Sequence, residues 1–197
     1  MPPLQIRFSQ LDIGWPMALG ANIFKAQINI SDMDRHYYQS HALTIAQHPS
    51  ENDLRMMIRV LAFCLNAHEQ LSFTKGLSTQ EEPDLWQKSL SDEIELWIEL
   101  GQIEEKRLRQ ACGKGQKVII YTYNDKQAGP WYSQMESTFA RHSNLDVFHV
   151  SSESAEQLAK LAQKNMDLQV SIQDGEVFIS SEELSVTVKP EKRFPAE

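Results

Sequence analysis

Two carboxylates are the first residues whose type and spacing could do chemistry. Asp84 follows Pro83 at the expected start of a strand, and Glu99 lies near the end of the next, four residues after Glu95. Magnesium and manganese prefer carboxylate oxygens, and one or two from protein suffice when phosphate and water complete the shell. Adjacent strands offering acids near their ends can therefore meet at one ion. The same residues also read as the polar face of an ordinary strand, and proline followed by an acid has little specificity alone.

A second set is Glu51, Arg55 and Arg59, spaced by four and so aligned on one helix face. Read functionally, Glu51 stands beside a metal or an attacking water, and the arginines hold it or a phosphate. Read blandly, the stripe is a surface ladder of ion pairs, each contributing under about 0.5 kcal/mol. A third set is the basic run Lys106, Arg107, Arg109, Lys114 and Lys117. An amine near a metal-bound water can orient the nucleophile or stabilise charge on a transferring phosphate. As a nucleic-acid surface the run is modest, because no aromatics interleave it and Glu104 and Glu105 dilute it. The six histidines lack tight metal spacing, and no glycine-rich phosphate loop occurs, which disfavours a nucleotide-cofactor enzyme. Cys64, between Phe63 and Leu65, reads as a core residue.

The elements that must position these residues follow from periodicity. Residues 23–30 and 42–47 read as paired strands, with a helix over 34–47 as the alternative to the second. Ser50 is the expected cap of a long, largely buried helix over 51–68, with Leu54, Met57, Ile58, Leu61 and Leu65 on its apolar face. Short strands are expected at 71–74 and 84–88. Residues 94–100 alternate best, with Ile94, Leu96, Ile98 and Leu100 facing one way and Glu95, Trp97 and Glu99 the other. A helix over 103–112, a strand over 118–123, a helix over 130–142, a strand over 145–150 and a helix over 153–164 follow. Strands at 168–172 and 177–180 flank Asp174-Gly175, a strong hairpin signal, and 184–188 adds another. The order is mixed α/β.

The 197 residues are 41% apolar and 23% charged, enough to bury a core and not compositionally disordered. No apolar run approaches the roughly 18 residues that a membrane span needs. Two cysteines and the absence of a secretory-type start fit a cytoplasmic setting. The net charge of -8 argues against a general nucleic-acid binder, yet its distribution is uneven. Residues 81–105 carry nine acids against Lys88 alone, and 106–126 reverse to a net of +5. The pattern suits a hard-cation site beside a phosphate-binding surface, or a solvated acidic loop followed by a surface helix.

Several runs resemble the bacterial YaeQ family: DMDRHYY (32–38), LTIAQHPSEND (43–53), RMMIRVLAF (55–63), LSFTKGLSTQEEPDLWQK (71–88), IELWIELGQ (94–102), KRLRQACGKG (106–115) and IQDGEVFIS (172–180). The likeness spans about 17–190, leaving 1–16 as an expected peripheral extension and 191–197 as a tail. The resemblance implies a compact variant of the restriction-endonuclease-like, PD-(D/E)xK nuclease fold, a mixed sheet flanked by helices around an αβββαβ core with added strands. In such nucleases two strand acids hold magnesium and a nearby lysine assists the attacking water. Matched by position, Asp84 and Glu99 become the metal ligands and Glu51 the helix acid. The match departs where the lysine belongs, since Gly101 follows Glu99 at that spacing and Trp97 follows Glu95. Lys106 or Lys75 are candidates for a migrated amine, and Gln102 for a replacement. Arg55 and Glu95 are further candidate site residues, with Arg59 and Arg109 expected to bind phosphate. The leading expectation is a magnesium- or manganese-dependent phosphodiesterase acting on DNA, with a nuclease-fold binding or regulatory protein that no longer cuts as the alternative. A more distant reading is an interaction protein whose acidic 81–105 segment docks on a basic partner.

Overall fold

The computed structural model describes residues 20–75 and 81–195, so the expected extension 1–16 lies outside the described residues. Alternating apolar residues build the first sheet. β1 (Asn22–Asp32) turns Phe24, Ala26, Ile28 and Ile30 inward and pairs along its whole length with β2 (Tyr37–Gln47). The helix that 34–47 allowed does not form. β8 (Asn165–Gln173) lies parallel to β1, and β9 (Glu176–Ser180) and β10 (Ser185–Val188) complete the order β10-β9-β8-β1-β2. Asp174 and Gly175 make the expected two-residue turn between β8 and β9, both with positive φ, 53° and 70°. The Asp34 carboxylate accepts both of their amides, at 2.8 and 2.9 Å.

The second sheet carries the candidate chemistry. β3 (Leu71–Phe73), β4 (Leu85–Lys88) and β5 (Ile94–Leu100) form an antiparallel meander, and β6 (Lys117–Thr122) and β7 (Leu145–His149) continue parallel to β5. β11 (Glu191–Phe194) closes the order β11-β7-β6-β5-β4-β3, so the expected tail contains an edge strand. The reading of one sheet flanked by helices is thus corrected to two sheets. Four helices accompany them among the described residues: α1 (Asp53–Leu65), α2 (Glu105–Lys114), α3 (Asp125–Phe139) and α4 (Ser152–Ala159). From α1 to β6 the chain runs helix, three strands, helix, strand, as the sequence pattern predicts.

Burial shows how the layers stack. Every residue of α1 from Met56 to Cys64 is buried, which requires neighbours on all sides. One core joins α1 and α4 to the inner faces of both sheets, including Ile28, Val170, Leu96, Ile98 and Ile119. A second core lies on the far face of the second sheet, where Trp97, Val118, Ile120 and Val147 pack against Leu108, Ala111, Met135 and Phe139 of α2 and α3. β5 is therefore covered on both faces, and its alternating acids are not on a solvated side. Gly115 ends α2 where an added Cβ would stand 3.0 Å from the Trp97 Cβ, so any larger residue there would push α2 and β5 apart by a few tenths of an ångström. α3 begins five residues before the expected Pro130, because the Asn124 side chain accepts from the Gln127 amide and caps it there. Among the described residues no helix is long and apolar enough to cross a membrane.

Candidate active site

The entry to α1 sets the first group. Asn52, rather than the expected Ser50, caps the helix by accepting the Arg55 amide at 2.9 Å. Glu51 thus stands just before the helix, with its carboxylate directed to the side chains of the first two turns. One oxygen accepts from Arg55 at 2.9 Å and the other from Arg59 at 2.7 Å. Arg59 is buried, also donates to the Ala46 carbonyl at 2.9 Å, and lies over the Phe73 ring at 5.6 Å. The stripe is a ladder of ion pairs, but an interior one, wedged between the sheets rather than laid on a solvated face. Burial lowers the pKa of Arg59, against the pull of Glu51 and Asp84. Its position gives it no access to an external phosphate, which corrects that expectation.

Asp84 enters from the meander. Its amide donates to the Ile98 carbonyl at 3.0 Å, and its Oδ2 accepts the Leu100 amide at 2.9 Å, so the side chain completes the ladder where β4 begins. Its Oδ1 accepts from Arg55 at 2.6 Å. Arg55 therefore bridges Glu51 on the helix side to Asp84 on the sheet. Burial works against the charge of Arg55, but the Asp84 and Glu51 carboxylates outweigh it and raise its pKa.

Glu99 projects from the other face of β5, toward α2. One of its oxygens accepts from the indole of the fully buried Trp97 at 2.7 Å and from Arg107 at 2.6 Å. Arg107 also donates to the Glu82 carbonyl and lies 5.2 Å over the Trp97 ring, tying α2 to the segment before β4. Burial raises the pKa of Glu99, more than Arg107 and Trp97 lower it. Immediately beyond, Gly101 adopts φ 88°, a left-handed turn that carries the chain from β5 toward α2. Gln102 follows, and its Nε2 is buried with no hydrogen-bond partner among the described residues.

These residues border a cleft of about 850 Å³. Arg55, Asp84, Glu99, Gln102 and Lys106 of the expected set line it, together with Arg107 and Lys114. Glu51 reaches it only through Arg55. Arg109 is exposed and lies 3.9 Å from Glu105, Glu95 accepts from Gln87 at 2.7 Å, and Lys75 is exposed with its amide on Glu82; none of the three lines the cleft. Residues 76–80, beside Lys75, lie outside the described residues. Sequence reading missed Arg107 as the partner of Glu99, although its eight-residue spacing from Glu99 was visible. It also missed Tyr123, whose hydroxyl lies 3.7 Å from where a Cβ on Gly101 would stand. Burial raises the pKa of Tyr123, with Arg55 opposing.

The donor chemistry fits a hard cation at its minimum. Asp84 and Glu99 both border the cleft. Both Asp84 oxygens and one Glu99 oxygen already accept hydrogen bonds. An ion held there would have to share these carboxylates with Arg55 and Arg107 while relieving the buried charge of Glu99. Among the described residues no three His, Cys, Asp or Glu side chains group to hold a metal. Three acids, Glu51, Asp84 and Glu99, are instead balanced by Arg55, Arg59 and Arg107.

Comparison with known proteins places the whole arrangement. A family model described as YaeQ protein matches residues 17–190. The chain is 42% identical over 164 residues to the "Uncharacterized protein YaeQ" of Salmonella typhi, covering 83% of this chain and 91% of that one. It is 39% identical over 172 residues to the protein of the same name from Escherichia coli K12, covering 87% and 95%. The crystal structure of YaeQ protein from Xanthomonas axonopodis pv. citri superposes with a TM-score of 0.86 at 42% identity, over 88% of this chain and 98% of that one. That from Pseudomonas syringae gives 0.84 at 32% identity, over 90% and 97%. With two mixed sheets and four helices among the described residues and this extent of shared sequence, the chain belongs to the YaeQ family.

Proposed function

We propose that the protein is a magnesium- or manganese-dependent phosphodiesterase acting on DNA in a cytoplasmic setting, on a restriction-endonuclease-like αβββαβ core. One observation carries this reading. Asp84, immediately before β4, and Glu99 of the neighbouring antiparallel β5 border a single cleft whose α2 wall bears Lys106, Arg107 and Lys114 and which Glu81, Glu82 and Glu104 also line. Acids beside cations are what a phosphodiester with a bridging divalent ion requires.

Asp84 and Glu99 would hold the ion, which when bound supplies Lewis-acid polarisation of the phosphate and a more acidic water. The chain's own residues do the rest. Lys106, exposed on the cleft wall, stabilises charge developing on the phosphate oxygens. Arg107 and Trp97 fix the orientation of Glu99. Glu51 acts as a positioning residue, holding Arg55 against Asp84, and Gln102 offers its unpartnered amide to an oxygen. The alternative, a nuclease-fold protein that binds or regulates without cutting, is favoured by the arginine on every one of the three acids.

Cleavage of single-stranded, double-stranded and supercoiled DNA with magnesium or manganese separates the two. The proposal predicts cleavage that disappears in both Asp84→Asn and Glu99→Gln and falls about 100-fold in Lys106→Ala. No cleavage of any form supports the non-cutting protein, and equal cleavage by both acid variants identifies a contaminating nuclease.

A further inference from the structure

The edges of the two sheets are unequal. Among the described residues four strands stand at edges: β3, β11, β10 and β2. A bare edge presents unpaired amides and carbonyls to any passing strand, and proteins blunt it with shortness, charge, proline or a bulge. β3 has three residues. β10 has four and runs into Lys189-Pro190. β11 also has four, three of them charged (Glu191, Lys192 and Arg193), and shifts register against β7. β2 has none of these devices. It is eleven residues long, holds no charged residue and no proline, and pairs with β1 without a register shift.

We propose that β2 is the pairing edge of a homodimer, in which two copies join antiparallel β2 strands across a two-fold axis. The strand is complementary to itself. Full overlap of the eleven residues puts the axis at Ala42, with Ser40 opposite Thr44 and Tyr38 opposite Ala46 on the solvent face. Small residues meet small ones, hydroxyls meet across the strands, and each aromatic ring covers an alanine. Charge selects the same surface. The chain carries -8 overall, whereas the hairpin 22–47 is balanced, with Lys25 and Arg35 against Asp32 and Asp34. The strand itself therefore sets no like charges opposite one another, with Asp53, bonded to Gln47, and Glu69, near Tyr37 and His41, as the acids at its ends. An isologous contact of this kind consumes both edges, and the other three edges are blunted, so assembly stops at two.

Sedimentation of the full chain over a range of concentrations tests this, beside Ala42→Lys. Ala42 is exposed on the solvent face, so lysine there leaves the monomer fold intact but sets two like charges face to face at the axis. The expected result is a concentration-dependent dimer for the wild type and loss of that dimer in Ala42→Lys, with the thermal midpoint of the variant at monomer concentrations unchanged. Ala42→Cys in a Cys112→Ser background should form a disulfide-linked dimer on mild oxidation, because opposed strand residues lie within bridging distance. A wild type that stays monomeric, including one whose edge is taken by its own residues 1–19 or by a different protein, overturns the proposal. So does a dimer that Ala42→Lys leaves intact.

Discussion

At the scale of single residues, Glu99 is the most informative group. It is a buried carboxylate with an indole and a guanidinium on one oxygen, and burial still raises its pKa. The folded chain therefore holds the Glu99 proton more tightly than the unfolded chain. The Glu99 contribution to stability falls as pH rises from the ordinary glutamate range up to the raised value, and Glu99 adds no further slope above it. Urea midpoints measured from mildly acidic to neutral pH should show this decline in the wild type and lose it in Glu99→Gln. A decline of equal size in the variant would assign it elsewhere. The candidate acids were legible in the sequence, because Pro83-Asp84 and the spacing to Glu99 are local. Their arginines were not. Arg55 meets Asp84 across 29 positions, and no periodicity reports which helix a strand acid will face. Arg59 was misread for the same reason, since a charged stripe opposite an apolar face looks solvated until a second sheet covers it.

At the scale of elements, the turn after β5 decides where Gln102 and α2 begin. Gly101 holds φ 88°, and a Cβ there would make only ordinary contact with Tyr123, so the cost of Gly101→Ala is in the backbone. That cost is about 1–2 kcal/mol of stability, read from urea denaturation. An unchanged midpoint would show that the turn is not held in the left-handed region. β5 itself was read correctly as a strand, because period-two alternation is local, yet its second face lies in a core that only α2 and α3 create. The Asp174-Gly175 turn was equally legible, each residue being suited to positive φ. α1 is buried all round because two sheets enclose it, and a helical moment along 51–68 cannot anticipate the second sheet. β11 escaped notice because Glu191, Lys192 and Arg193 are the charges that protect an edge.

At the scale of the molecule, the -8 resolves into local balances. The acid-dense 81–105 segment is not an open anionic surface throughout. Asp84 and Glu99 are drawn inside and matched by arginines from α1 and α2, while Lys106 and Lys114 remain on the cleft wall. A cation entering the cleft must therefore compete with Arg55 and Arg107 for the two carboxylates. The balanced hairpin at the opposite sheet, by contrast, carries no such opposition to a second copy. Joint ligation of one divalent ion by Asp84 and Glu99 is open to calorimetric titration with magnesium and with manganese. The expected result is a single site in the wild type, lost in both Asp84→Asn and Glu99→Gln while circular dichroism shows both variants folded. No binding by the wild type, or unchanged binding in both variants, would contradict it.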